Sequence, residues 1–204
     1  MGDASFAAVV KIGGSLFERR TDLERIAARL RAAPRPVLLL TGGGVLADAV
    51  RRAQGDLGFS DALAHRLAIG AMEQMAAIFA EIDPGWRLVG DVGAALATAR
   101  NGASALWCGS APFLADRTLA EDWTVTSDSL AARLAAGVGA ERLVLVKSAE
   151  PPPFASLADL AGAGYVDAAF PRHAAAFAGS VHFAGPSRHD GLSLLVTGSE
   201  PPVS

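Results

Sequence analysis

Val9-Val10-Lys11-Ile12-Gly13-Gly14-Ser15-Leu16 is the stretch on which the reading of this chain turns. Residues 6–12 are an apolar run of strand length, and two glycines and a serine follow at once. Next, residues 22–32 set Leu23, Ile26, Ala27 and Leu30 at helix-face spacing, and Pro34 and Pro36 break the pattern. A second apolar run at 37–40 then leads into Thr41-Gly42-Gly43-Gly44 and a helix over 45–54. A strand ending in glycines, a helix, and a strand ending in glycines again describe βα units and a parallel sheet.

Further along, the alternation persists. A long helix is predicted over 61–82, with Leu63, Leu67, Ile69, Met72, Met75 and Phe79 as its buried residues. Its second half is poor in charge, which predicts packing on a neighbour or on a second subunit, the latter of which would make a homodimer. Strands are expected at 86–89, 105–108, 143–146, 181–183 and 192–196, with helices at 92–99, 128–136, 157–161 and 171–177. Ser127, Asp128 and Ser129 in the first turn of the 128–136 helix form an N-terminal signature. Pro151-Pro152-Pro153 forces an extended loop, and Pro201-Pro202-Val203-Ser204 is expected to fray. The fold class expected is α/β, a three-layer α/β/α sandwich on a mostly parallel sheet, in one domain of 204 residues.

Composition narrows the function. A net charge of -3 argues against nucleic acid or an anionic membrane as the main partner. No apolar stretch reaches the roughly 18 residues of a membrane span. The start, with Asp3 and no basic run before an apolar core, is not expected to be a signal peptide. One cysteine, Cys108, fits a reducing compartment, so a cytoplasmic protein is expected. Neither Cys108 nor His173, His182 and His189 shows metal-ligand spacing.

In parallel sheets ligands sit at the carboxyl ends of strands, and three junctions fall there. They are Lys11 to Ser15, Thr41 to Gly44, and Thr126-Ser127-Asp128-Ser129. Glycines bring backbone amides close to an anion, and helix N-termini favour phosphate oxygens. The chain has no G-x-x-x-x-G-K-[ST] and no G-x-G-x-x-G before a helix, so it is neither the common phosphate loop nor a dinucleotide site. Only two lysines occur, Lys11 and Lys147, each at the end of an apolar run, where a compact ammonium suits an anion.

These runs, with Gly42-Gly43-Gly44 and Ser127-Asp128-Ser129, resemble the amino acid kinase family, which includes acetylglutamate, aspartate, uridylate and isopentenyl phosphate kinases. Gly42 to Arg51, Leu63 to Ile69, Trp123 to Leu130 and Val166 to Pro171 are similar to one branch of it. That branch converts aminomethylfuran-methyl phosphate into its diphosphate in methanofuran and methylofuran synthesis. The resemblance implies ATP as donor, Mg²⁺ carried with it, and a small phosphorylated acceptor. It implies an acceptor-side lobe to about residue 110 and a nucleotide-side lobe beyond. Lys11 would neutralise charge on the transferring group, and Asp128 would orient that lysine or help hold magnesium. Gly13, Gly14, Ser15, Ser127 and Lys147 would meet the nucleotide phosphates, and Gly42, Gly43, Gly44, Asp48, Arg51 and His65 the acceptor. Relatives commonly carry Thr-Asp-x-x-Gly after the strand at 143–146, where this chain reads Lys147-Ser148-Ala149-Glu150-Pro151. Two alternatives stay open: a relative acting on another phosphate or a carboxylate, and a non-catalytic ligand-binding regulatory subunit.

Overall fold

The computed structural model describes residues 5–154 and 156–198. The first four residues and the tail expected to fray, Pro201 to Ser204, lie outside them. Six strands form one sheet: β1 (Ala8–Ile12), β2 (Val37–Thr41), β3 (Arg87–Val89), β4 (Ala105–Trp107), β5 (Arg142–Val146) and β6 (Ser180–Ala184). Every pairing is parallel, and the order is β3-β4-β2-β1-β5-β6. The helices are α1 (Arg20–Arg31), α2 (Gly44–Leu57), α3 (Asp61–Ile82), α4 (Val92–Arg100), α5 (Ala111–Ala115), α6 (Ser127–Val138), α7 (Leu157–Gly162), α8 (Phe170–Ala175) and α9 (Leu192–Leu195).

The three-layer expectation holds, and the alternation of side chains along the strands explains it. Val9, Leu143 and Leu145 pack with Leu130, Ala131 and Leu134 of α6. Val10, Ile12, Val144 and Val146 pack on the opposite face with Leu23 and Ile26 of α1. β1, β2 and β5 are thus apolar on both faces, which is why they read as continuous runs. The same parity carries function. Lys11 follows Val9 on the α6 face, and Lys147 continues the series of Leu143 and Leu145 just beyond β5. Because β1 pairs with β5, the two lysines emerge side by side above α6.

Two expectations need correction. Residues 192–196 form no strand: Leu192–Leu195 is helical and packs on α1. Leu192, Leu195 and Val196 are buried while Leu194 is half exposed, a helical rather than an alternating pattern. On α3, Ile69, Met72, Met75 and Phe79 are buried as expected, but Leu63 and Leu67 are exposed. Ala64, His65, Ala71 and Ala76 complete the inward face instead. Small residues there let α3 lie close to the sheet. Among the described residues, no helix is long and apolar enough to cross a membrane.

The two glycine junctions touch. A Cβ at Gly14 would lie 2.6 Å from both the Cα and the amide nitrogen of Gly44, closer than atoms can approach. Gly44 also has φ +50°, a left-handed conformation that favours glycine. Gly70, on α3, has nothing within 4 Å of its would-be Cβ. Gly14→Ala is expected to cost roughly 1–3 kcal/mol, as forced overpacking does. Gly70→Ala should be neutral or stabilise by up to about 1 kcal/mol. Urea unfolding of both variants checks this, and equal effects would contradict the close contact.

Candidate active site

At the carboxyl ends of β1 and β5 the two lysines converge on one carboxylate. Lys11 Nζ lies 2.8 Å from Asp128 Oδ1, and Lys147 Nζ lies 2.8 Å from Oδ2. Lys147 also donates to the Tyr165 carbonyl at 2.8 Å, and its ammonium lies 5.3 Å from the Tyr165 ring centroid. Lys11 and Asp128 are both buried. The Lys11 contact is an ion pair without hydrogen-bond alignment, so Oδ1 has charge compensation but no aligned donor. Burial alone pushes the Asp128 carboxyl up, but Lys11 and then Lys147 outweigh it and hold the group below its ordinary value. Lys147 falls to about 8, first through burial and then through the like charge of Lys11, with Asp128 opposing both.

Asp128 is held in place by a residue with no assigned role in the sequence reading. Asp167 Oδ2 accepts from the Thr126 amide at 3.0 Å, the Thr126 hydroxyl at 2.9 Å and the Ser129 amide at 2.9 Å. Its other oxygen accepts from the Ser129 hydroxyl. Asp167 therefore caps α6 from a distant loop, and neither Thr126 nor Ser127 makes a side-chain cap. The α6 N-terminus keeps Ser127 facing the glycine junctions: its Oγ lies 3.3 Å from the would-be Cβ of Gly42.

Beside this cluster opens a cavity of about 290 Å³. Gly14, Ser15, Gly42, Gly43, Gly44 and Ser127 line it, as do Asp48, Arg51 and His65 from α2 and α3. The structure thus gathers nearly all the expected phosphate and acceptor residues. Gly13 and Lys147 are not among its walls: Gly13 packs on β5, its amide donating to the Val146 carbonyl at 2.9 Å, and Lys147 is bonded to Asp128 and the Tyr165 carbonyl. Trp123, Val125, Thr126 and Leu130 come from the second half of the chain, so both halves build this one cavity. A second cleft of about 580 Å³ lies beyond Ser15, between the start of α1 and the Ser148, Pro186 and His189 loops. Ser15 lines both, and its hydroxyl meets that of Ser148 at 2.7 Å.

The acceptor-side residues carry existing bonds. Arg51 pairs with Asp48 at 2.9 Å and stacks 4.2 Å over the Trp123 ring. His65 is buried, and its Nδ1 lies 3.2 Å from the Asp122 carbonyl. A carbonyl only accepts, so Nδ1 carries the proton and Nε2 is left as the ring's other polar atom. The segment that replaces Thr-Asp-x-x-Gly folds back onto the sheet end. Glu150 accepts from the Ser187 amide at 2.7 Å, and His189 Nε2 lies 3.0 Å from the Lys147 carbonyl.

The family model described as the amino acid kinase family matches residues 7–150. A Methanocaldococcus jannaschii protein named (5-(aminomethyl)furan-3-yl)methyl phosphate kinase is 33% identical over 75 residues, 36% of this chain and 35% of that protein. The match therefore spans about a third of that curated relative. Uridylate kinase from Archaeoglobus fulgidus superposes with a TM-score of 0.66 at 16% identity, over 94% of this chain and 95% of that one. UMP kinase from Bacillus anthracis gives 0.71 at 10% identity, over 94% and 91%. At such identities the structural likeness concerns the fold alone.

Having only two lysines makes the charge cluster directly observable. With ¹³C-labelled lysine, one signal should titrate near pH 8, and in Asp128→Asn its midpoint should fall further because the opposing carboxylate is gone. Two midpoints at or above 10 would contradict the buried cluster.

Proposed function

Because this chain belongs to the amino acid kinase family, we propose that it transfers the γ-phosphoryl group of ATP to the phosphate of a small phosphomonoester. Aminomethylfuran-methyl phosphate, yielding its diphosphate, is the leading acceptor. The observation that carries the reading is the pair of ammonium groups fixed on Asp128, whose chain neighbour Ser127 lines the narrower of two clefts that share Ser15. The wider cleft suits the nucleotide and the narrower one the acceptor. The 33% identity over 75 residues to the kinase from Methanocaldococcus jannaschii supports the acceptor.

An acceptor phosphate oxygen attacks the γ-phosphorus in line, the bond to the β–γ bridging oxygen breaks, and ADP leaves. No protein nucleophile is needed. Catalysis of this kind rests on positioning and charge. Two ammoniums and one carboxylate leave the cluster with one net positive charge, aimed at the developing anion. Asp128 orients both lysines, and the turns at Gly14 and Gly44, which line the cavity and pack on each other, would offer backbone amides to phosphate oxygens. Arg51 and His65 hold the acceptor side. With both oxygens facing ammoniums, Asp128 does not fit a resident magnesium ion. Among the described residues, no group of three or more such side chains could hold a metal. Magnesium, which neutralises phosphate charge, would enter on the nucleotide.

Dependence on ATP and a single cysteine support a cytoplasmic setting. Exposed Leu63, Leu67 and Ile78 on α3 support a homodimer through the long helix. Light scattering tests that against the 20.8 kDa of one chain: twice this mass is expected, and a monomer at micromolar concentration would refute it.

For the reaction itself, ADP release with Mg–ATP and the phosphorylated aminofuran is the assay. Lys11→Ala should lower kcat/KM by roughly 10²–10³-fold, the scale of one lost electrostatic donor. Arg51→Ala should act mainly on acceptor KM. Unchanged turnover in Lys11→Ala would remove the proposed charge role. ATP binding with no acceptor-dependent ADP release would favour a regulatory subunit.

A further inference from the structure

One wall of the acceptor cavity is Trp123, a residue that the reaction itself does not require. We propose that Trp123 sets the length of acceptor this site takes, admitting phosphomonoesters with a single-ring body and excluding longer ones. In naming phosphomonoesters the inference rests on the reading above.

The helices beside the cavity give its direction. Along α2, Gly44 and Arg51 both line it, seven residues and about 10 Å apart. On α3, Met72 and His65 are spaced the same way, with Met72 near the glycine junctions: its carbonyl accepts from the Thr41 hydroxyl at 3.0 Å. The cavity is therefore a slot between α2 and α3. Its polar end lies at Gly14, Gly44 and Ser127, beside the lysines. Its middle is apolar, with Ala68, Ile69 and Leu130 among its walls. Trp123 stands at the other end, against Arg51. At about 290 Å³ the slot is at the small end of the ~300–1,000 Å³ usual for small-molecule sites.

A wall selects only if it cannot swing away, and this one is tied on both sides. The Trp123 indole nitrogen donates to Gln54 Oε1 at 2.6 Å, and Arg51 covers one face of the ring. Gln54 is itself held, its amide donating to Asp61 Oδ1 at 2.7 Å and to the Phe59 carbonyl at 3.3 Å. From the α3 side, His65 bonds the carbonyl of Asp122, the residue next to Trp123. Behind the indole no core backs the slot. Trp123 is only half-buried, and α2 contributes no buried residue at all. Truncating the ring would open the slot end to solvent and not to a second packed layer.

Two probes read the length directly: benzyl phosphate, and the longer biphenyl-4-ylmethyl phosphate. Isothermal calorimetry without ATP measures their affinities for the wild-type protein and for Trp123→Ala. The wild type should bind the short probe at least ten-fold more tightly than the long one. Trp123→Ala should abolish that preference, through tighter binding of the long probe and with the short one changed by less than about three-fold. An unchanged ratio in a folded Trp123→Ala protein overturns the proposal, as does failure of the wild type to bind either probe. Should Trp123→Ala not fold, Trp123→Leu carries the same test, and an unaltered ratio there overturns it equally. Failure of the kinase reading looks different: both probes bind with the length preference intact, and neither they nor the phosphorylated aminofuran elicit ADP release when Mg–ATP is added.

Discussion

A carboxylate removed from water must be compensated, and in this protein that single requirement organises the site. Asp128 is buried, and each of its oxygens faces an ammonium at 2.8 Å. Desolvating three charged groups is expensive, and removing one partner of a buried pair typically costs about 3–5 kcal/mol. Such an arrangement persists only if the surroundings impose it. Here strand parity delivers Lys11 and Lys147 to the α6 face, and Asp167 fixes the helix end that presents Asp128. The two lysines and Asp128 carry one net positive charge among themselves, with Asp167 also acting on Lys147, at the point where the sheet, two glycine junctions and a helix N-terminus come together.

In the proposed reaction the glycine turns would work together with this charge. Backbone amides are weak anion ligands alone, but beside a fixed ammonium in a low-dielectric pocket they count for more. The contact of Gly14 with Gly44 brings the first and second junctions together on one cavity, to which Ser127 adds the α6 end. Ser15 lies between the two clefts, so a group passing from one to the other would cross this polar floor. The unusual segment after β5 is compatible with this plan. Lys147 faces inward to Asp128, and Glu150 and His189 tie the following loops to the sheet end.

Much of this was legible in the sequence because it is local. β1, β2 and β5 announce themselves as apolar runs, the glycines follow strands directly, and the scarcity of lysine singles out Lys11 and Lys147. Parity along residues 143, 145 and 147 could also have placed Lys147 on the α6 face, given the sheet order. Features that depend on distant pairing were not legible. Asp167 caps a helix that starts 40 residues earlier, and nothing near it in the chain signals this. Trp123 opens one of the stretches that resemble the family, but nothing in the sequence signals that α2 brings Arg51 and Gln54 against it. Leu192 to Val196 departs from the expected strand because a short apolar run fits a strand or a helix alike, although its buried positions have helical spacing. Hydrophobicity alone ranks Leu63 and Leu67 above the alanines that face the sheet, so it points them inward where the fold leaves them exposed.

The central claim is that the Asp128-anchored ammoniums and the paired glycine turns surround the phosphoryl group in flight. A crystal structure with ADP, aluminium fluoride and the acceptor tests this most directly. The account predicts a planar fluoride between the two clefts, within hydrogen-bond distance of Lys11 Nζ and the Gly14 amide, with Asp128 still bridging both lysines. A fluoride bound elsewhere, or one that leaves Lys11 out of reach, would contradict it.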